Sequence, residues 1–237
     1  MNNKVDMIRI QTRKVSTHEG ELLLVKKPKG WTSFDVVNRI RAILDVAKVG
    51  HAGTLDPMAT GLLIVCTGRK TKELDQYQGM EKEYSAQMVL GAHTSSFDAE
   101  TPVIERRSTE NISEEMIRAS VAEFVGYQTQ LPPMWSAAKV GGTRLYKYAR
   151  KGKEVDRRPR EIYVTSIAVD WIRMPAVRFT VICSKGTYIR TLVDDIGKRL
   201  GCGAYLSDLE RTRIGHFLLK DAVSLEDLHR SPVKQSD

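Results

Sequence analysis

One short stretch of the chain combines residue types that could carry out chemistry. Residues 49–63 read VGHAGTLDPMATGLL, with three glycines and a single carboxylate, Asp56, directly before Pro57. A residue before proline is restricted to extended conformations, and proline itself has a fixed φ and no N–H donor. The pattern therefore predicts a carboxylate presented at a defined angle with little bulk around it. An Asp that satisfies nearby amides in a tight turn has the same pattern, so a purely structural role stays open.

The surrounding sequence narrows the chemistry that one carboxylate could perform. A glycosidase normally needs a second carboxylate, and no obvious partner lies near Asp56 in the sequence. His51 and Asp56 are too few for a metal site, and the other histidines are scattered. The sequence also lacks the glycine-rich motifs that bind phosphate groups. We therefore expect no metal and no small-molecule cofactor, and favour covalent catalysis by a carboxylate nucleophile.

The charge distribution indicates a polyanionic partner. The 237 residues carry a net charge of +8 with a pI of about 9.4, as in many proteins that bind nucleic acid. From Lys139 to Arg160, nine Lys and Arg residues stand against two acids, Glu154 and Asp156. A run of charges is commonly just a solvated face, but here Tyr146 and two other aromatic residues lie within or beside it. Basic residues interleaved with aromatic ones favour nucleic-acid binding.

Composition and patterning also bear on the location of the protein. The longest apolar run, Leu62 to Cys66, is too short to cross a bilayer, and the N-terminal residues lack a secretory apolar segment. The three cysteines are far apart and show no paired metal spacing. These features predict a cytoplasmic protein with buried thiols and no membrane partner.

Hydrophobic periodicity predicts the elements that must position Asp56. Strands are expected around 21–27, 62–66, 82–91, 162–171 and 176–183, and helices after Thr32 or Ser33, after Ser113 and over 185–201. The apolar face of the second helix would contain Met116, Ile117, Val121 and Phe124. The elements do not alternate regularly, so we expect an α+β fold with a mixed, largely antiparallel sheet flanked by helices. The chain would be one catalytic domain, 1–237, with a loose N-terminal arm over 1–20 and a basic insertion over about 131–160.

Five ordered motifs of the chain resemble those of the bacterial TruB family of tRNA pseudouridine synthases. The stretch around Asp56 fits the family pattern G-H-x-G-T-L-D-P-x-A-x-G-x-L throughout. The other four are KPKGWTS (27–33), KEYSAQMVLG (82–91), PPMWSAAKVGGTRLYKYAR (132–150) and CSKGTYIRTL (183–192). The resemblance extends over about residues 20 to 228. It implies a pseudouridine synthase fold and an isomerase that converts uridine to pseudouridine in the T-loop of tRNA (position 55), without a cofactor.

The resemblance also implies roles for individual residues. Asp56 would be the nucleophile, attacking either C1′ of the sugar or C6 of the base, two routes that the sequence does not separate. Tyr84 would stack on the target base and move a proton from the sugar, although a core tyrosine would fit the same strand. Arg190 would pair with Asp56, in bidentate geometry, orienting the carboxylate and keeping it ionised. A helical pair between Arg190 and Asp194 is the competing interpretation.

Further positions would bind the RNA substrate. His51 would insert into the T-loop, and Tyr188 and Leu209 would line the uracil pocket. The basic insertion would close over the T-arm stem-loop of tRNA, with phosphate contacts from Lys139, Arg144, Lys147 and Arg150. We expect a monomer whose partner is tRNA.

Three departures from the family pattern bear on this interpretation. Trp135 stands where tyrosine is usual, and Glu210 stands where arginine is common. Full-length relatives carry a C-terminal RNA-binding PUA domain, for which the residues after Leu228 leave no room, so we expect none here. Two other functions stay open: an RNA-binding or tRNA-folding chaperone whose catalysis is secondary, and a carboxylate-dependent hydrolase acting on nucleic acid.

Overall fold

The computed structural model describes residues 19–230, without the side chains of the last two. The expected N-terminal arm falls largely on residues 1–18, which lie outside the described part. The strands are β1 Leu22–Lys27, β2 Val49–Ala52, β3 Thr60–Thr67, β4 Lys82–Leu90, β5 Ala92–Thr94, β6 Val103–Arg106, β7 Gly126–Gln130, β8 Lys139–Val140, β9 Thr143–Arg144, β10 Arg160–Arg173, β11 Ala176–Cys183, β12 Ala204–Ile214 and β13 Phe217–Leu218. The helices are α1 Ser33–Leu44, α2 Leu74–Gly79, α3 Glu114–Ala122, α4 Leu145–Ala149, α5 Ile189–Arg199 and α6 Leu225–Arg230.

A mixed sheet organises the described residues. Its strand order is β1-β3-β12-β4-β11-β10-β7, with β2 added to β3 and β13 added to β12. All of these neighbours run antiparallel except β12 and β3, which pair in parallel through Glu210 and Arg211. Strands β5 and β6, and strands β8 and β9, form two separate hairpins. The α+β class with a largely antiparallel sheet is therefore confirmed.

Local sequence patterns explain the elements on either side of Asp56. Thr32 begins α1 with a capping box, because its side chain accepts from Asp35 N–H while the Asp35 carboxylate accepts from Thr32 N–H. Strand β3 is buried on both faces, as expected from its unbroken apolar run. In β4, by contrast, buried and half-buried residues alternate, so that Tyr84, Ala86, Met88 and Leu90 share one face.

The main core lies on one face of the sheet, where α3 packs on β10 and α5 packs on β12. A second cluster joins β1 and β3 to α1 and α6. Four residues of the main core also line the principal cleft of the protein: Leu55, Tyr84, Ile189 and Leu209. The cleft is therefore formed on rigidly packed elements rather than on loops alone.

The structure corrects two expectations and extends a third. Residues 49–52, expected as loop, form β2, because they pair with β3 from Val49 to Ala52. Met116, expected in the core, is 46% exposed, since the buried stripe of α3 is Ile117, Ser120 and Val121. The basic segment contains the β8–β9 hairpin and α4.

Candidate active site

Asp56 lies in a β-turn after β2, held on both sides by main-chain hydrogen bonds. Its carbonyl accepts from Ala59 N–H at 3.1 Å, which places Pro57 at the second position of the turn, where its fixed φ fits. The Pro57 carbonyl accepts from Gly30 N–H at 2.8 Å. The turn is thereby tied to the segment between β1 and α1.

Two side chains from the KPKGWTS motif strengthen this tie. Ser33 bonds both main-chain groups of Leu55, accepting from its N–H at 2.9 Å and donating to its carbonyl at 3.2 Å. Lys27, 1% exposed, donates to the carbonyls of Trp31 at 2.5 Å and Pro57 at 3.3 Å. Burial lowers the pKa of Lys27 to about 8, although the Asp56 carboxylate opposes this shift. Ser33 and Lys27 of the KPKGWTS motif thus fix the main chain on both sides of Asp56.

Arg190, in the first turn of α5, pairs with Asp56. Its Nε lies 2.9 Å from Asp56 Oδ2, an ion pair whose angle does not give a hydrogen bond. The expected bidentate pairing is wrong, because the other guanidinium nitrogens are engaged elsewhere: Nη1 donates to Ser96 O at 3.1 Å and Nη2 to Trp135 O at 2.8 Å. Asp194 instead lies 3.1 Å from His93 Nδ1 and 2.6 Å from Lys198 Nζ. The geometry therefore favours the pairing with Asp56 over the helical pair.

A second carboxylate, which sequence reasoning missed, lies behind Arg190. Asp98 Oδ2 is 3.2 Å from Arg190 Nη1, and its side chain has no exposed surface. Its other oxygen accepts from Ser96 Oγ at 2.5 Å and from Glu100 N–H at 2.9 Å. By comparison, 32% of the Asp56 side chain is exposed. The guanidinium thus bridges a fully buried carboxylate and one that faces the cleft.

The cleft beside Asp56 has a volume of about 820 Å³. Its wall combines the reactive groups with small and basic residues: Gly53, Thr54, Leu55, Asp56, Gln78, Lys82, Tyr84, Ser136, Ala137, Ala138, Arg160, Glu161, Ser184, Lys185, Gly186, Thr187, Tyr188, Ile189, Arg190, Leu209 and Arg211. The sequence predictions Asp56, Tyr84, Arg190, Tyr188 and Leu209 therefore meet in one cavity. A cavity of this size accommodates a nucleoside-sized ligand.

Tyr84 and Leu209 form an apolar part of the wall. They lie on the adjacent strands β4 and β12 and are 8% and 5% exposed. Burial raises the pKa of the Tyr84 hydroxyl, and the nearby Asp56 carboxylate acts in the same direction. The positive charge of the nearby Arg211 opposes the increase.

Tyr188 is held by its main chain at the start of α5. Gln130, 3% exposed at the end of β7, accepts from Tyr188 N–H at 2.9 Å and donates to Tyr188 O at 3.2 Å. This two-point contact fixes the backbone two residues before Arg190. Because Gln130 directly precedes the basic segment, the contact also connects that segment to the wall of the cleft.

His51 lies near the cleft but is not part of its wall. It is half-buried in β2, two residues before Gly53, which does line the cavity. Burial and the Arg211 charge lower the pKa of His51, which favours the neutral imidazole near pH 7.

The four cations expected to contact phosphates are all exposed on the basic segment. Lys139 and Arg144 are directly paired across the β8–β9 hairpin, while Lys147 and Arg150 lie in α4 and at its end. Arg150 also stacks over the Tyr146 ring at 5.3 Å. None of the four lines the 820 Å³ cleft.

Two buried cations of the cleft were not predicted. Lys82 donates to the carbonyls of Gln78 and Met80 at 2.6 and 2.5 Å, and burial lowers its pKa to about 8. Arg211 is 1% exposed and donates to the carbonyls of Leu62 and Gly53. The sequence signal for both was their period-two spacing from Tyr84 and Leu209, which puts them on the cleft side of their strands.

Residues 19–230 contain no group of three or more His, Cys, Asp or Glu side chains arranged to hold a metal ion. In the same residues, no helix has the length and apolar character needed to span a membrane.

Two family models match the chain. Residues 41–189 match the N-terminal domain of the TruB family pseudouridylate synthases, and residues 190–236 match the C-terminal domain of tRNA pseudouridylate synthase B. Together the matched ranges contain every residue of the cleft wall.

Relatives named tRNA pseudouridine synthase B align over most of their length. The protein of Parabacteroides distasonis is 47% identical over 215 residues, which cover 88% of this chain and 92% of the relative. The protein of Chloroherpeton thalassium is 43% identical over 224 residues, covering 92% and 93%.

Two solved structures that contain a chain with a similar fold are complexes. A Cbf5-Nop10-Gar1 complex contains a chain that is 32% identical with a TM-score of 0.68, over 89% of this chain and 54% of that one. An H/ACA RNP bound to a substrate RNA containing 2′-deoxyuridine contains a chain that is 31% identical with a TM-score of 0.66. The match covers 87% of this chain and 51% of that one, so this chain corresponds to about half of each.

Proposed function

The chain belongs to the TruB family of tRNA pseudouridine synthases, and on that premise we propose that Asp56 is the nucleophile with which it isomerises a uridine of the tRNA T-loop. The observation that carries the proposal is the contact of 2.9 Å between Asp56 Oδ2 and Arg190 Nε at the wall of the cleft. A carboxylate that is held by one oxygen and partly exposed to a cavity is suited to nucleophilic attack.

The reaction exchanges one glycosidic bond for another. The bond between C1′ and N1 breaks, a bond between C1′ and C5 forms, and the C5 proton is lost while N1 gains one. Asp56 forms a transient ester, either to C1′ as the base leaves or to C6 of the base, and is regenerated when the new bond is complete. Both routes are balanced without an oxidant, a reductant or an energy source.

Four further residues would serve this exchange. Tyr84 stacks on the uracil, and its hydroxyl in the cleft wall takes a proton from the sugar and returns it before the exchange is complete, so that the C5 proton is the only one lost. Arg190 orients the Asp56 carboxylate through the contact of its Nε with Oδ2. Tyr188 and Leu209 enclose the base.

The basic segment would hold the RNA around the cleft. Lys139, Arg144, Lys147 and Arg150 are exposed and close enough in sequence to follow one phosphate backbone. His51, on the neighbouring β2, would support the nucleotide once it is flipped out of the T-loop. Flipping costs least when the base is already unpaired, which agrees with a hairpin-loop target.

We further propose that the protein acts as a monomer in the cytoplasm. The predicted catalytic residues Asp56, Tyr84 and Arg190 meet in one cleft within the same chain, which supports catalysis by a monomer. The three cysteines are free and buried, as in proteins from reducing compartments.

Tritium release tests this proposal. A T-arm hairpin with tritium at C5 of the target uridine is incubated with the full chain in EDTA and without added cofactor. We expect tritium to appear in water in step with pseudouridine, because the C5–H bond breaks in the exchange. A matched hairpin labelled only in its stem uridines should release none.

Each other outcome contradicts the proposal. Binding of the hairpin without tritium release would indicate the chaperone function. Free uracil or a cleaved strand would indicate a hydrolase. Release from the stem-labelled hairpin would disprove the T-loop as the target.

A further inference from the structure

Lys82 and Arg211 place two buried cations against the loop that leads to Asp56. Lys82 is 5% exposed and Arg211 1%, and both line the cleft. A Cβ at Gly53, which has a φ of +84°, would lie 3.5 Å from Arg211 Nη1 and 3.9 Å from Lys82 Cε. The two side chains therefore lie against one residue, three positions before Asp56.

Neither cation is neutralised by a carboxylate. Within residues 19–230, no Asp or Glu oxygen lies within 4.0 Å of a side-chain nitrogen of Lys82 or Arg211. Asp56, in the same wall, pairs with Arg190 instead. Burying a cation is costly, and a like charge beside it adds to the cost. Negative charge on a ligand in the cleft would offset that cost.

One N–H donor of Lys82 is available to such a ligand. An ammonium group has three N–H donors, and Lys82 Nζ uses two of them, to Gln78 O at 2.6 Å and to Met80 O. Lys27 is also buried but does not line the cleft. It donates to three main-chain carbonyls, those of Pro28, Trp31 and Pro57. The protein thus satisfies Lys27 completely and leaves Lys82 one donor short.

The position of Lys82 favours the base of the substrate as the ligand. Lys82 and Tyr84 are two residues apart on one face of β4, and Leu209 lines the same cavity from the adjacent β12. A uracil stacked on Tyr84 would therefore lie beside Lys82. The phosphates of the RNA would stay outside this pocket, where the exposed cations of the basic segment can reach them.

The proposed exchange puts negative charge on the uracil oxygens by either route. If Asp56 attacks C1′, the electron pair of the C1′–N1 bond stays with the base and is shared among N1, O2 and O4. If Asp56 adds to C6, the electron pair of the C5–C6 double bond moves to O4. A fixed donor in a buried site stabilises such developing charge more than it stabilises the neutral substrate.

We infer that Lys82 is a catalytic residue whose ammonium group donates its third hydrogen bond to a carbonyl oxygen of the target uracil, O2 or O4, and stabilises the negative charge that develops there. The inference rests on the proposed function, since it adds a group to the same reaction. Lys82 keeps its proton throughout, and the charge leaves the uracil oxygen as the C1′–C5 bond forms.

Removal of the Lys82 charge tests the inference. Single-turnover tritium release is measured at saturating T-arm hairpin for wild type and K82M. K82M should be about 100-fold slower or more, the usual cost of losing one donor to a developing oxyanion, with hairpin affinity unchanged within about threefold. A saturated rate within about threefold of wild type, or a loss confined to affinity as for a phosphate contact, would overturn the inference.

A matched variant controls for the loss of one positive charge. Lys26 is exposed on β1 and is not part of the cleft wall. K26M removes the same charge as K82M and should retain the wild-type rate. If K26M slowed the reaction as much as K82M, the effect would come from net charge and the inference would be wrong.

Modified bases identify the contacted atom. The hairpin carries 2-thiouridine or 4-thiouridine at the target position, again with tritium at C5, because sulfur accepts hydrogen bonds more weakly than oxygen. K82M should slow one of the two thio hairpins at least about threefold less than it slows the uridine hairpin, since the contact is already weakened there. Equal slowing of all three hairpins would overturn the inference.

The pH profile of a second variant tests the inference even if K82M does not fold. Burial lowers the pKa of Lys82 to about 8; the charges of Arg211 and Lys185 add to this decrease, and the Cys183 thiol opposes it. The kcat/KM of wild type should therefore fall as pH rises through 8, because the ammonium group loses its charge. K82R keeps its charge and should show no such fall up to about pH 9. Lys27, whose pKa is also about 8, is unchanged in K82R, so profiles of the same shape in the two proteins would overturn the inference.

The proposed function and this inference fail in different ways. If wild-type protein releases no tritium, the proposed function itself is wrong. If wild type is active but K82M retains its rate, or K82R retains the pH profile of wild type, only the role of Lys82 is wrong.

Discussion

Asp98 Oδ2 lies 3.2 Å from Arg190 Nη1 and is sealed from solvent. Because Asp98 holds the guanidinium from the buried side, only Nε is left to face Asp56. The positive charge is shared between two carboxylates, so Asp56 is oriented without being fully neutralised. The reactivity of Asp56 should therefore depend on a residue that touches no substrate.

Asp98→Asn tests this dependence. The amide keeps the shape of the carboxylate but removes its charge, so Arg190 would turn its full charge to Asp56 and lower its nucleophilicity. We expect single-turnover tritium release to slow about 10-fold or more and hairpin affinity to stay unchanged. The free energy of unfolding should fall by about 1–3 kcal/mol, since a charged hydrogen-bonding partner is lost. A rate within about twofold of wild type would show that Asp98 has only a structural role.

Asp56→Asn separates an enzyme from an RNA chaperone. The amide cannot form the ester, so pseudouridine formation should fall by at least about 1000-fold, a loss typical for removal of a nucleophile. Hairpin binding, measured by filter retention, should stay within about threefold, because Asp56 adds no phosphate contact. A variant that forms product near the wild-type rate would contradict its role as nucleophile.

Arg190→Lys distinguishes orientation of Asp56 from a helix-surface contact. A single ammonium cannot replace three guanidinium nitrogens that engage Asp56, Asp98 and two carbonyls in one plane. We expect less than a tenth of the wild-type rate, with the unfolding transition recorded in parallel to verify the fold. A rate of one tenth of the wild-type rate or higher would contradict the orienting role of Arg190.

Local patterns in the sequence were sufficient to predict α1 and β4 but not β2, which directly precedes the Asp56 turn. The capping box of α1 and the alternation of β4 depend on residues a few positions apart, so they can be read without the fold. Met116 was misplaced because it lies one position from the true buried stripe of α3, and one position turns a helix by about 100°.

Contacts between distant segments could not be predicted in the same way. Ser96 and Arg190 are 94 positions apart and come into contact only through the packing of α5 on the sheet. The ion pair between Arg190 and Asp98, two residues after Ser96, depends on the same packing. Strand β12 escaped prediction because SDLERTR contains four charged residues. In the fold, Asp208 and Arg213 form ion pairs, and Arg211 lines the cleft. The prediction of a bidentate pairing was wrong because two guanidinium nitrogens of Arg190 donate to the main-chain carbonyls of Ser96 and Trp135.

Asp195→Asn should stabilise the protein near neutral pH. Burial raises the pKa of Asp195 to about 6, and the neighbouring Asp194 adds to the increase. The folded state therefore binds the proton more tightly than the unfolded state, whose pKa is near 3.8. This contribution to stability is complete below pH 3.8 and is lost as pH rises through 6.

In the Asp195→Asn variant the side chain cannot ionise, so the protein does not lose this stability as the pH rises. One pKa unit corresponds to about 1.4 kcal/mol, but a third of the side chain is exposed, so we expect a gain of about 1 kcal/mol at pH 7.5. Urea unfolding at pH 7.5 and pH 5 measures it, and the gain should be smaller at pH 5. A gain that is independent of pH would contradict the assigned cause.

The basic segment should control the salt dependence of RNA binding. Lys139 and Arg144 face each other across a short hairpin, and like charges in this position repel. A bound phosphate backbone would relieve that repulsion, and each phosphate contact contributes about 0.7 to 0.9 to the slope of log K against log salt. Replacing Lys139, Arg144, Lys147 and Arg150 by alanine should therefore reduce the slope by about 3. Hairpin affinities between 50 and about 300 mM salt give the slope.

A matched variant controls for net charge in this experiment. Four exposed cations outside the basic segment are replaced by alanine instead: Arg39, Lys48, Lys72 and Lys220. The two variants carry the same total charge, so general attraction to a polyanion falls equally in both. Only the variant in the basic segment should show the full reduction of the slope by about 3, because only its cations would contact the RNA backbone. Equal slopes in the two variants would show that this segment does not hold the RNA.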